Sequence, residues 1–346
     1  MPLASKTQPS IQDVAKLAGV SLGTVSNVLN HPERVRDSTV KKVLRAISQL
    51  GFVRNDAARQ LKAGNSKALG LLVLDSANPF FASLARGAED CAHEHGYQVL
   101  IGSSSSSQER EESYLRMFQE QRLSGVLLSP TGDPIHQISQ LRSVGVRAVI
   151  VDRQSDDQLC CSVSVDDVYG GRLAVSHLLE SGRTAIGFVG ASLEIKQVAD
   201  RFLGAQEAMA KNARATLERF EAKSMEVISG REIGLEILKL NPDKRPTALF
   251  AANDLLAVGL LQAFALQNSI KVPAEIAIIG YDDIAFSQAT VVPLTSIRQP
   301  AELIGCTAVE LLLDELENPN THKHKQVTFQ PELVIRDSTH LTTINQ

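Results

Sequence analysis

The chain has 346 residues, more than one hydrophobic core organises, which points to two or three domains. With 43% hydrophobic and 21% charged residues it has the balance of an ordinary globular protein, and no apolar run approaches the ~20 residues of a membrane span, which argues against a membrane-spanning chain. The net charge of −4 is unevenly shared: residues 1–64 carry +6 and the remainder −10, the asymmetry of a nucleic-acid-binding module joined to an acidic body.

The stretch from Met1 to Ser10 is short and polar and lacks an export signal, so the expected address is the cytoplasm. Residues 11–18, 22–29 and 38–50 read as three short helices with no strand pattern among them. Ile11, Val14 and Leu17 have helical spacing and are expected to form one buried face, with Gly19 making the turn. Ser21 is a good N-cap for a second helix that turns Val25, Val28 and Leu29 inward. Leu22, Gly23, Ser26 and Asn27 are left facing outward at the start of that helix. A helix-turn-helix presents this part of its second helix to base edges in the major groove. The hydroxyls of Ser10, Ser21, Thr24 and Ser26 suit phosphate oxygens, and Arg34 and Arg36 add backbone contacts. With aromatics at 4% and no Trp, such a surface works through charge and hydrogen bonds, not stacking. Residues 55–64 form a connecting segment too short for a stable isolated helix.

From residue 68 a different rhythm begins. Apolar, β-branched runs near 68–75, 97–103, 125–130, 146–153, 184–191, 247–253 and 276–283 alternate with helical patterns near 79–95, 108–122, 135–144, 168–181, 200–211, 230–240, 254–268 and 301–317. Strands that are apolar along their whole length predict parallel sheets covered on both faces, and so many β-α units predict two sheets. Ligands in such folds bind outside the carboxyl ends of the strands, which are polar here: Asp75 to Asn78, Ser129, Asp152-Arg153, Asn253-Asp254 and Asp282-Asp283. The pentaserine Ser103–Ser107 reads as a flexible loop capping the following helix. Cys91, Cys160, Cys161 and Cys306 have no C-x-x-C spacing and read as free core thiols. His136, His177 and the His322-Lys323-His324 tract lack ligand spacing and a sequence partner, so no metal is expected. There is no G-x-x-x-x-G-K-[ST] loop and no G-x-G-x-x-G, so neither an enzyme nor a cofactor is expected.

The run SIQDVAKLAGVSLGTVSNVLN over Ser10–Asn30 resembles the headpiece signature of the LacI/GalR repressors, and Leu50-Gly51-Phe52, Asn55, Ala57-Ala58-Arg59 and Leu61 continue it. Asn78-Pro79-Phe80, Ser124-Gly125-Val126, Val151-Asp152-Arg153, Pro246-Thr247-Ala248, Ala252-Asn253-Asp254, Gly280 to Asp283 and Pro293-Leu294-Thr295 extend the resemblance over nearly the whole chain. It implies an all-α helix-turn-helix headpiece over 1–54, a hinge helix over 55–65, and an α/β body over 66–346 of the periplasmic-binding-protein type. One lobe would take 66–161 and 293–322, the other 162–292 and 323–346.

The resemblance further implies a transcriptional regulator of repressor type that binds a palindromic double-stranded DNA operator as a homodimer under a small-molecule effector such as a monosaccharide or a nucleoside-related ligand. Asn55 and Arg59 of the hinge would touch DNA, and Leu61 would wedge into the minor groove. Phe80, Ser129, Asp152 and Arg153 from one lobe, and Arg201, Met225, Asn253 and Asp282 from the other, would hold the effector. Arginine with two carboxylates can grip vicinal hydroxyls while Phe80 stacks on an apolar sugar face.

Departures accompany the resemblance. Asn27 stands where the family usually has arginine, and Leu22 and Gly23 carry little hydrogen-bonding capacity. Residues 212–228 lack the family's usual turns, and Glu194–Asp200 is an unusual segment that should flank the ligand. The chain stops soon after His340 with no leucine heptad, so a dimer is expected, not a tetramer. A solute-binding protein without export signal, and a regulator answering to a docking protein, are the alternatives.

Overall fold

The computed structural model describes residues 9–52, 66–155, 159–267 and 270–340, and the chain divides into two compact units, Met1–Asn65 and Ser66–Gln346. The expected hinge, with Asn55, Arg59 and Leu61, lies outside the described residues.

The first unit comprises α1 (Ile11–Ala18), α2 (Leu22–Asn30) and α3 (Asp37–Leu50), with a 3-10 turn at Pro32–Arg34. Each boundary has a local cause. Ser10 caps α1 through a reciprocal box with Asp13, and Gly19 ends it at φ 59. Ser21 caps α2 by accepting from the Thr24 N–H at 3.1 Å, and Gly51 ends α3 at φ 62. Val14, Ala15, Ala18, Val25, Val28, Val43 and Ala46 form the core. Leu17 departs from expectation: it is 49% exposed, and the inner stripe of α1 runs through Ala15 and Ala18 instead. Both α2 and α3 pack on α1, and small alanines on the shared face let three short helices approach closely.

The second unit is built on two six-stranded sheets. The strands are β1 (Ala68–Val73), β2 (Gln98–Ser103), β3 (Gly125–Leu128), β4 (Arg147–Val151), β5 (Cys161–Val165), β6 (Ala185–Gly190), β7 (Thr216–Glu221), β8 (Ala248–Ala251), β9 (Ala277–Asp282), β10 (Thr295–Arg298), β11 (Gln326–Phe329) and β12 (Glu332–Val334). One sheet runs β11-β5-β4-β3-β1-β2, all parallel. The other runs β12-β10-β9-β8-β6-β7, parallel except for β12. Among the described residues eight helices cover the faces: α4 (Pro79–Glu94), α5 (Gln108–Glu120), α6 (Ile135–Ser143), α7 (Asp167–Glu180), α8 (Lys196–Met209), α9 (Val227–Lys239), α10 (Asp254–Gln267) and α11 (Ala301–Glu317). The double cover is visible in β1, where Leu69, Leu71 and Val73 join one core cluster and Leu72 the other.

The lobe boundaries differ from the expected ones. The chain crosses between lobes after β5, after β10 and after β11, so β5 and β11 belong to the first lobe and β10 to the second. Five strands escaped the apolar pattern for physical reasons. In β5 Ser162 and Ser164 are buried, and β10 has four residues, which hides both. The polar β7, β11 and β12 lie at sheet edges, where one flank faces solvent.

Helix pairs close over the sheets at glycine contacts. A β-carbon on Gly204 of α8 would sit 1.9 Å from the Val168 carbonyl oxygen of α7, and one on Gly171 would sit 2.0 Å from that of Arg201. Gly204→Ala should therefore lower stability by about 1–3 kcal/mol, as overpacking does. Gly132→Ala, where nothing lies within 4 Å, should stay within roughly 0.5 kcal/mol of the parent. Urea midpoints at unchanged slope measure both; equal midpoints for the two variants would refute the close-contact account.

Candidate functional site

Two surfaces collect the residues singled out by sequence. On α2, Leu22 is 46% exposed and Gly23 and Asn27 are exposed beside it, while Val25 and Val28 are buried beneath. Thr24 and Ser26 are half-buried. The hydroxyls expected at phosphates already work within the fold. Ser10 and Ser21 are N-caps, Ser21 Oγ lies 2.8 Å from Thr24 Oγ1, and Ser26 Oγ accepts from the Asn30 side chain at 3.2 Å. A hydroxyl has one donor and two acceptor sites, so a single capping bond does not exhaust it and leaves external contact chemically compatible. Arg34 is 73% exposed, 3.7 Å from Glu33, and Arg36 is exposed at the start of α3.

The second surface is a cleft of about 370 Å³ between the two sheets of the body. Its walls are the carboxyl ends of parallel strands and the helix starts that follow them. Asp75, Asn78, Phe80, Ser105, Ser106 and Asp152 come from the first lobe, and Gln197, Arg201, Lys223, Met225, Asn253 and Asp282 from the second. Arg201 is its buried centre. Its Nε donates to Asp167 Oδ1 at 2.8 Å and its Nη1 to the Ala252 carbonyl at 2.7 Å. Nη1 lies 3.8 Å from Asp282 Oδ1, and the guanidinium sits 3.7 Å from the centre of the Tyr281 ring. Gly170 makes room for Tyr281, since a β-carbon there would meet its hydroxyl at 2.2 Å.

Hydrogen bonds bridge the lobes at both carboxylates. Asn78 Nδ2 donates to Asp282 Oδ2 at 3.1 Å, and Gln299 Nε2, on a crossover, donates to Oδ1 at 2.8 Å. Gln197 Nε2 donates to the Asp152 carbonyl at 2.7 Å and to its Oδ2 at 2.9 Å. Asp152 (φ 60), Asp282 (φ 105) and Asp283 (φ 52) hold the backbone where L-residues rarely sit, strain of the kind that clusters at binding sites. Asp254 anchors the floor, accepting from Ser296 Oγ and Ser287 Oγ at 2.6 Å each and from the Ile284 N–H at 2.9 Å.

Burial dominates the electrostatics. It pushes Asp282 up to about 6, against the pull of Arg201. Burial and then Asp282 raise Asp254 to about 7, and burial and then Asp167 hold Asp152 well above the usual carboxylate range. Burial works against charge on Arg201, but Asp167, Tyr281, Asp282 and Asp152 outweigh it and keep the guanidinium protonated.

Six of the eight residues expected at a ligand therefore meet here: Phe80, Asp152, Arg201, Met225, Asn253 and Asp282. Two do not. Ser129 is fully buried at the end of β3, and Arg153 turns away to donate to the Gly132 carbonyl at 2.6 Å. Lys223, Ser105 and Ser106 were not expected, and Asn78 and Gln197 were expected only as members of longer segments. Asn78 closes the polar strand end Asp75 to Asn78, and Gln197 lies in the Glu194–Asp200 segment expected to flank the ligand. The two serines were hidden in a run read as a flexible loop; Ser107 does cap α5, but Ser104 is buried and Ser105 and Ser106 line the wall.

Residues 10–55 match the family model of bacterial regulatory proteins of the lacI family, and residues 175–339 that of the periplasmic binding protein-like domain. The chain is 34% identical over 332 residues, 95% of its length and 98% of the relative's, to the HTH-type transcriptional repressor PurR of Aliivibrio fischeri strain MJ11. Its structure is similar to that of the lac repressor dimer bound to operator and the anti-inducer ONPF, with a TM-score of 0.81, 28% identity, and coverage of 97% of this chain and 100% of that one. It is also similar to a LacI family transcriptional regulator from Enterococcus faecium with bound ribose, with a TM-score of 0.72, 27% identity, and coverage of 79% and 98%. No helix among the described residues is long and apolar enough to cross a membrane.

The raised Asp282 gives a pH signature. Its folded-state value of about 6 exceeds the ordinary 3.8, so the folded chain favours the protonated acid. That contribution is complete below pH ~4 and is lost as pH rises through about 6, amounting to roughly 3 kcal/mol. The melting temperature of the wild type, measured against Asp282→Asn from pH 4 to pH 7.5, should fall relative to the variant as pH rises. Parallel curves would show that Asp282 titrates alike in folded and unfolded chains.

Proposed function

We propose, on the premise that the chain belongs to the lacI family of bacterial regulatory proteins, that it represses transcription from a palindromic operator as a cytoplasmic homodimer under the control of a neutral polyhydroxylated ligand. Members of this family are DNA-binding transcriptional repressors and not enzymes. The observation that carries the ligand reading is the polar box of Arg201, Asp282 and Asp152 between the lobes, bridged by Asn78 and Gln197.

The chemistry of the walls narrows the ligand. Four carboxylates, Asp75, Asp152, Asp282 and Glu226, line the cleft against two cations, Arg201 and Lys223. An excess of acceptors suits hydroxyl donors and disfavours a phosphate ester. A cavity of about 370 Å³ is near the small end for ligand sites, matching a monosaccharide or a nucleoside. The ribose bound to the related regulator supports the same class. At the DNA, α2 offers Leu22, Asn27 and Ser26, a thin set for direct readout, with hinge residues Asn55, Arg59 and Leu61 completing the proposed contact.

A band shift on a selected operator, titrated with monosaccharides, nucleosides and sugar phosphates, tests the reading. One unphosphorylated compound should change operator affinity, and Asp282→Ala should weaken its binding by roughly 1.5–3 kcal/mol, the worth of a hydrogen bond to a charged group. Operator binding by the ligand-free variant should stay within a few-fold. A response only to sugar phosphates, or only to a protein fraction, would sink the proposal.

The operator reading has its own test. Asparagine pairs with adenine N6 and N7, whereas arginine pairs with guanine O6 and N7. Asn27→Arg should shift one position of each half-site toward guanine by ~1–3 kcal/mol in a binding-site selection. Identical half-site preferences would mean that Asn27 reads no base and that DNA shape decides.

A further inference from the structure

Outside the cleft, the fold assembles a cluster whose members lie far apart in sequence. Cys161 opens β5, and His322 and His324 lie on the segment between α11 and β11, which pairs with β5. Cys161 Sγ is 3.3 Å from His322 Nε2 and 3.8 Å from His324 Nδ1, and the three ligand atoms lie within 4.8 Å of one another. Cys161 is fully buried and the His322 side chain is 2% exposed. His322 Nδ1 lies 2.7 Å from Asp314 Oδ2, which fixes the ring with its proton on Nδ1 and its Nε2 lone pair aimed at the sulfur.

From this geometry we propose that Cys161, His322 and His324 form a binding site for a borderline transition-metal ion, Zn²⁺ foremost. Bond lengths of about 2.3 Å to sulfur and about 2.0–2.1 Å to nitrogen place sulfur and nitrogen ligands about 3.5–3.6 Å apart around a tetrahedral ion. The two S···N separations bracket that value, so the sulfur-to-nitrogen spacing needs shifts of only a few tenths of an ångström, and both nitrogens lie within 4.8 Å of each other. Thiolate with imidazole selects Zn²⁺ over the oxygen-loving Mg²⁺ and Ca²⁺. Asp314 supplies the carboxylate behind a ligating histidine that such sites commonly carry. It is 45% exposed and its Oδ1 also accepts from Asn318, so this side of the cluster opens to solvent as an entry path. The fourth position is left to water.

The protons balance as follows. Binding releases the thiol proton of Cys161 to solvent. Arg142 Nη1 lies 3.1 Å from His324 Nε2 and can only donate, so the neutral ring carries its proton on Nδ1. Ligation through Nδ1 moves that proton to Nε2 and turns Arg142 away toward Glu315, whose Oε1 already lies 3.7 Å from its Nη2. The bound ion would pin the α11–β11 connection to β5.

The test uses the purified full chain under a non-coordinating reductant. Zn²⁺ is titrated in competition with a chromophoric chelator, and Co²⁺ is used as a spectroscopic probe. The expected result is one ion per chain with a thiolate-to-cobalt charge-transfer band and a rise in melting temperature on adding Zn²⁺. Cys161→Ser should abolish the band and the rise, His324→Gln should lose most of the affinity, and Asp314→Asn should weaken binding roughly 10–100-fold. Cys306→Ser, in the separate Cys91–Cys306–Glu310 group, should change nothing. Absence of the band in the wild type, its persistence in Cys161→Ser, or its loss in Cys306→Ser would overturn the assignment; circular dichroism of each variant separates lost binding from lost fold.

Discussion

The body depends on one buried cation. Arg201 ties the start of α7, through Asp167, to the ends of β8 and β9, through the Ala252 carbonyl and Asp282, and sits over the Tyr281 ring. At an effective dielectric of about 20, one charge at 3.8 Å is worth about 4 kcal/mol, whereas burying each ion costs several. The pair with Asp282 does not repay that alone. What offsets it is the number of partners: a second carboxylate at 2.8 Å, a carbonyl at 2.7 Å and an aromatic face. Such a centre adds little net stability. It fixes direction, since a planar guanidinium with all its neighbours in place has one orientation.

The glycines follow from the same constraint. Gly170 admits Tyr281, Gly171 accepts the backbone of Arg201 itself, and Gly280 leaves space for Asp254. A methyl group at any of these would displace a member of the cluster and not merely crowd a core. The cost of bringing α7 so near α8 is met by hydrophobic burial in the core of the second lobe, where Phe188, Phe250 and Phe264 are fully buried.

Legibility in the sequence tracked how local each signal was. Ser10, Gly19 and Ser21 act on their own helix ends, so the three headpiece helices could be read almost to the residue. Strand-end carboxylates announced the cleft because a polar residue closing an apolar run has few other uses. The lobe boundaries were not legible, since β11 joins its sheet through a strand far back in the chain, Gln326 opposite Ser162, and β10 is placed by its pairing with β9 and β12 and not by a pattern of its own. Leu17 misled because spacing identifies a helical face but not which neighbour covers it. Gln197 and Asn78 entered the site through contacts across the cleft, 45 and 204 residues from their partners, which no local pattern carries.

Those same bridges govern what a ligand could do. In the structure Asp282 and Asp152 already have amide donors from the opposite lobe. A hydroxyl that displaces either amide only exchanges one hydrogen bond for another, whereas one that reaches a remaining carboxylate lone pair adds a bond. A ligand moves the lobes only to the extent that it binds one arrangement more strongly than the other. Moving the arrangement from 1:99 to 99:1 needs about 5.5 kcal/mol of differential binding, which is several charge-assisted hydrogen bonds formed in one state alone. The residues able to supply that difference are those whose partners sit on opposite lobes, Asp282 and Asp152. Met225 and Asn253 bond within their own lobe and would bind alike in both states. On the proposed reading, Asp282 and Asp152 would carry the response together with part of the affinity, and Met225 and Asn253 would contribute to affinity alone.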